Sequence, residues 1–132
     1  LGNVYGPRQD PHGEAGVVAI FCSAALQGAR AKIFGDGSAI RDYVFVGDIV
    51  DAFARALGQV GDGERYNIGT SVGTSVLTVN STVAAVAGAS DDPEFAEARP
   101  GELDAITLDA AKARRDLGWQ PRVDLADGVA AE

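Results

Sequence analysis

The sequence predicts an α/β fold on three observations. Short β-branched or aromatic runs alternate with longer segments of helical period. Asp or Ser stands where helices would start and Gly where they would end. Breaks such as Gly6-Pro7 and Pro100-Gly101 separate the units, because proline cannot donate to a ladder and glycine takes turn conformations freely. In chain order, residues 1–5 read as the end of a strand and residues 17–25 as a mostly buried helix stopped at Gly28. Residues 31–34 form a short strand, and Gly35-Asp36-Gly37-Ser38 makes a turn. Tyr43-Val44-Phe45-Val46 is a second strand; Asp48 then caps a helix carrying Ile49, Phe53, Ala56 and Leu57, ended by Gly58. Residues 65–69 are a further short strand. Ser75 caps a helix with Val76, Val79, Val83 and Val86 on one face, ended by Gly88. Residues 95–99 are extended, Asp109 caps residues 110–117 with Gly118 as the stop, and Asp124 caps a last short helix. These strands are too few to close a sheet by themselves.

At 132 residues, 46% of them hydrophobic, the chain suits one modest domain. A net charge of −8 argues against nucleic acid as a partner, whereas one or two arginines with backbone N–H groups can still hold a small anion. Cys22 is the only cysteine and lies in an apolar run, so it reads as a small buried hydrophobe. That usage suggests a reducing, cytoplasmic compartment. No stretch reaches the roughly 18 apolar residues of a membrane span, and no signal peptide is visible. The chain starts inside an apolar run without methionine, which leads us to expect a piece of something longer.

Arg41 is the most informative single residue. Placed after a flexible turn, its planar guanidinium can hold two oxygens of a diphosphate; alternatively it forms a surface pair with Asp42, although neighbouring strand residues point to opposite faces. Arg99 and Glu102 flank the Pro100-Gly101 turn, where the arginine can take phosphate and the carboxylate a ribose diol, or both can be plain solvated turn residues. Phe34 can stack on a base or belong to the core, and Asn3 and Asn67 near strand ends can donate to a ligand oxygen or cap a turn. His12 is the only histidine and reads as solvated, which leaves no metal site and no Ser-His triad. No strand runs into Gly-x-Gly-x-x-Gly, so a dinucleotide cradle is missing as well.

Six ordered blocks carry a family likeness: Asn3-Val4-Tyr5-Gly6-Pro7-Arg8-Gln9, Ile33-Phe34-Gly35-Asp36-Gly37, Arg41-Asp42-Tyr43, Tyr66-Asn67-Ile68-Gly69-Thr70, Arg99-Pro100-Gly101-Glu102 and Leu117-Gly118-Trp119-Gln120-Pro121. Together they resemble the C-terminal part of an extended short-chain dehydrogenase/reductase of the NAD-dependent epimerase/dehydratase type, nearest the UDP-glucose 4-epimerase branch. The resemblance implies that residues 1–132 are the nucleotide-sugar-binding segment, with elements completing a Rossmann domain that holds NAD and is absent from this chain. It further implies a UDP-sugar or related ligand, a homodimer, and C4 epimerisation by transient oxidation. Asn3 and Arg41 would contact the diphosphate, Phe34 and Tyr43 would line the nucleotide pocket, Arg99 and Glu102 would reach phosphate and ribose, and Asn67 would touch the nucleotide.

The family's catalytic base pair, Tyr-x-x-x-Lys, is not here. Tyr5, Tyr43 and Tyr66 are followed four residues on by Gln9, Gly47 and Thr70, so no catalytic residue is expected in this chain and no turnover from it alone. The same blocks are compatible with a nucleotide-sugar 4,6-dehydratase or an NAD(P)-dependent reductase, and the segment taken alone with a non-catalytic binding module. Two positions depart from the family pattern: Gly47 replaces an aspartate and Ser71 a frequent glycine.

Overall fold

A computed structural model describes residues 1–12, 16–58 and 63–132. Its frame is a parallel strand pair, β1 (Asn3–Tyr5) and β4 (Tyr43–Phe45), with Asn3 opposite Tyr43, Val4 opposite Val44 and Tyr5 opposite Phe45. Parallel strands need a long crossover, and the chain between them supplies α1 (Val17–Leu26), β2 (Lys32–Phe34) and β3 (Ile40–Arg41). Side chains alternate along a strand, so the pair faces two cores. Tyr5 and Tyr43 enter one, while Val44, flanked by Val4, enters the other. Such burial on both faces explains why these strands, apart from the exposed Asn3 at the start of β1, carry apolar or aromatic residues at successive positions rather than alternating with polar ones.

The Tyr5 side is covered by α1, α3 (Val76–Ala87) and α5 (Leu125–Ala131), with α3 packed between the other two. Val18 and Phe21, Val79 and Val83, and Val129 are their respective buried contributions. The Val44 side is covered by α2 (Val46–Ala56) and α4 (Ala111–Leu117), through Ile49, Ala52 and Ala113. Trp119 fills the space beyond α4; it is fully buried, and its indole Nε1 donates to the Asp48 carbonyl at 2.9 Å. Two smaller ladders complete the fold. β2 pairs in parallel with β6 (Glu94–Ala96), and β3 pairs antiparallel with β5 (Thr74–Ser75).

Most helix ends follow the sequence signals. Ser75 Oγ accepts from the Thr78 N–H and the Asp124 carboxylate from the Asp127 N–H, each capping its helix, while Gly88 and Gly118 close helices in the left-handed region. Asp48 does not cap. Helix α2 begins two residues earlier, with no side-chain cap, and the buried Asp48 carboxylate accepts from the Arg122 and Val123 N–H groups, tying the C-terminal segment to the second core. The expected apolar face of α2 is also corrected. Ile49 and Ala52 are buried, whereas Phe53 and Leu57 are 58% and 88% exposed. Residues 65–69 are not a strand: Ile68 is buried and its carbonyl accepts from the Gly2 N–H at 2.7 Å, a single bond in place of a ladder. Cys22 is half-buried against the first core, and burial pushes its thiol up to about 11, as suits a packing residue.

Because Trp119 is enclosed on all sides, Trp119→Ala should lower the stability of the fold by about 3–5 kcal/mol, read as a shift in the urea midpoint followed by circular dichroism.

Candidate functional site

Asp42 sits between β3 and β4 and is 1% exposed. Its Oδ1 accepts from the Thr70 N–H at 2.7 Å and the Thr70 hydroxyl at 2.6 Å; its Oδ2 accepts from the Ser71 N–H at 3.0 Å and the Leu108 N–H at 3.2 Å. Its own carbonyl accepts from the Asn3 N–H at 2.6 Å. One residue thus gathers distant segments of the chain. Gly69 is needed beside it, since a Cβ there would come within 2.6 Å of Asp42 Oδ2. Ser71 adopts φ 64°, the left-handed conformation that favours glycine, and its Oγ accepts from the Ala110 N–H at 3.2 Å.

With Asp42 turned inward, Arg41 points the other way. Its Nη1 donates to the Ile40 carbonyl at 2.8 Å, and its Nη2 pairs with Glu102 Oε1 at 3.3 Å. The surface pair with Asp42 does not exist. Glu102 is carried by residues 97–104, a strap held at both ends. On one side β6 lies along β2; on the other, the Ile40 N–H donates to the Asp104 carbonyl at 2.8 Å and the Ile106 N–H to the Ile40 carbonyl at 3.0 Å. Between these anchors the Arg99 guanidinium lies 4.0 Å from the centre of the Phe34 ring, a cation–π contact. Phe34 is 39% exposed, so it is not a core residue; its neighbour Ile33 takes that role.

Phe34, Arg99 and Glu102 line one cleft of about 140 Å³ together with the Gly35–Ala39 turn. Arg41 reaches this group through Glu102. Asn3 and Tyr43, partners across the β1–β4 pair, line a second cleft of about 340 Å³ with Gln9 and Val17. The Tyr43 hydroxyl feels the charges of the Arg41–Glu102 pair. Burial raises its pKa, the Arg41 charge lowers it, and the Glu102 charge raises it, so both charged groups act on this phenol. Asn67 is exposed and lines neither cleft. The residue that sequence reading missed is Asp42, seen there only as a possible partner for Arg41. Its donors on Thr70 and Leu108 lie 28 and 66 residues away, and only the polar Gly69-Thr70-Ser71 run hints at them.

A family model described as GDP-mannose 4,6 dehydratase matches residues 1–131. The chain belongs to that family, within the extended short-chain dehydrogenases/reductases. It is 59% identical over 128 residues to a UDP-glucose 4-epimerase of Mycolicibacterium smegmatis, covering 97% of this chain and 41% of that protein. Among solved structures it matches the UDP-glucose 4-epimerase of Thermotoga maritima with UDP-glucose, with a TM-score of 0.95, 45% identity, and coverage of 98% and 42%. The Thermus thermophilus UDP-glucose 4-epimerase in complex with NAD matches with a TM-score of 0.87, 43% identity, and coverage of 98% and 42%. The chain therefore spans about two fifths of these relatives, corresponding to their C-terminal part.

The residues present do not fit NAD. The β4–α2 junction carries the single Gly47 followed by the acidic Asp48 in its first helical turn, not a glycine-rich cradle for an anion, and no Gly-x-Gly-x-x-Gly occurs in the sequence. Replacing Asp42 by alanine leaves three backbone N–H groups without an acceptor, and should cost about 3 kcal/mol or more in urea unfolding.

Proposed function

We propose that this chain is the nucleotide-sugar grip of an NAD-dependent epimerase that acts on a UDP-sugar at C4. The observation that carries the reading is that Arg41 and Glu102, 61 residues apart, meet beside Arg99 and Phe34. That grouping offers what a nucleoside diphosphate needs: two guanidinium groups for phosphate oxygens, a carboxylate for a ribose diol, and an aromatic face for a base. Asn3 and Tyr43 extend the grip along the β1–β4 pair, and Asn67 supplies an outer contact to the nucleotide. Identity to UDP-glucose 4-epimerases supports the substrate class.

NAD belongs to a part of the enzyme outside residues 1–132, where it supplies reversible hydride transfer, and the work of this chain is to hold the sugar nucleotide still. A homodimer fits the reading drawn from the resemblance. The net charge of −8 speaks against nucleic acid, no described helix is long and apolar enough to cross a membrane, and a single half-buried thiol suits the cytoplasm. The description of the matching family model favours a second reading, a 4,6-dehydratase. A retained 6-hydroxyl in the product distinguishes the epimerase from it.

Arg41→Ala should weaken UDP binding about 10- to 100-fold in calorimetric titration, the worth of one or two charge-assisted hydrogen bonds; an unchanged affinity would remove Arg41 from the grip. Residues 1–132 by themselves should show no epimerisation of UDP-glucose in a coupled assay, since no Tyr-x-x-x-Lys is present.

A further inference from the structure

Each cation of the proposed grip already has a partner within the protein. Arg41 is held by Glu102, and Arg99 lies on the Phe34 ring. The exposures of the ion pair are unequal: the Arg41 side chain is 14% exposed and that of Glu102 is 41%. Glu102 is thus the more solvent-exposed partner, and it occupies Arg41 Nη2. An anion that takes this nitrogen must displace the carboxylate or lie beside it against its repulsion.

We propose that Glu102 is a specificity-determining residue, an internal competitor for Arg41 that makes the site select nucleoside diphosphates over free pyrophosphate or phosphate. This rests on the nucleotide-grip reading and deepens it. Inorganic pyrophosphate can take Arg41 only by leaving Glu102 unpaired beside a new negative charge, which costs free energy. A nucleoside diphosphate brings a ribose diol, two O–H donors that give the displaced carboxylate a new partner. The strap is built for that exchange. Its ends are fixed on β2 and on Ile40, while the Arg99–Glu102 turn between them, with Gly101 at φ 78°, is exposed. The same movement can lift Arg99 from Phe34 and free the ring face for a base.

Calorimetric titration of UDP and of inorganic pyrophosphate into the protein and into its Glu102→Gln variant tests this, with Arg41→Gln/Glu102→Gln as the control. The expected result is that Glu102→Gln tightens pyrophosphate about five-fold and weakens UDP, narrowing the preference between them, and that the double variant loses the gain. If the protein binds UDP but Glu102→Gln leaves pyrophosphate unchanged or weaker, the competitor role is overturned while the grip stands. If neither the protein nor the variant binds UDP or pyrophosphate, the grip and the competitor fall together.

Discussion

One buried carboxylate organises this molecule. Asp42 is placed where two short strands meet, and its four accepted hydrogen bonds draw in the Thr70–Ser71 loop and the segment at Leu108. Removing a charge from water is costly, and it is tolerated here because both oxygens are satisfied by donors fixed in the backbone or in a short hydroxyl side chain. The geometry has a further effect on its neighbour. With residue 42 committed inward, the alternation of the strand sends Arg41 outward, toward the strap that carries Arg99 and Glu102. The proposed grip thus inherits its aim from a residue that touches no ligand.

The charge pattern around that grip is balanced rather than open. Arg41, Glu102, Arg99 and Phe34 form two internal contacts that occupy the faces a nucleotide would use. An arginine stacked on an aromatic ring and an arginine capped by a carboxylate are both modest interactions near water, each readily exchanged for a better one. That modesty suits a binding site, which needs its groups pre-positioned but not locked.

The two positions expected from the resemblance to depart from the family pattern, Ser71 and Gly47, are structurally distinct. Ser71 adopts the left-handed conformation that favours glycine, and offsets the strain with two hydrogen bonds, its N–H to Asp42 and its Oγ from Ala110. Gly47, in the first turn of α2, leaves room beside the Phe45 ring, which a Cβ there would approach to 3.1 Å. Neither change removes a residue from the clefts.

The sequence by itself determined the α/β alternation, most helix ends and the ordered blocks that mark the family, because capping, turn chemistry and periodicity are local and repeat whatever surrounds them. Asp48 shows the limit of that legibility. A capping residue by type, it serves the distant N–H groups of Arg122 and Val123 instead, since burial makes those bonds worth more than an exposed cap. The outward Phe53 and Leu57 and the loop conformation of residues 65–69 were likewise decided by which faces the helices and strands left for them. Only the tertiary structure could turn Asp42 from a neighbour of Arg41 into an acceptor for Thr70 and Leu108, and Glu102 from a turn residue into the partner of Arg41. Contacts between residues 28 to 66 apart depend on how the chain closes, and no local pattern carries that information.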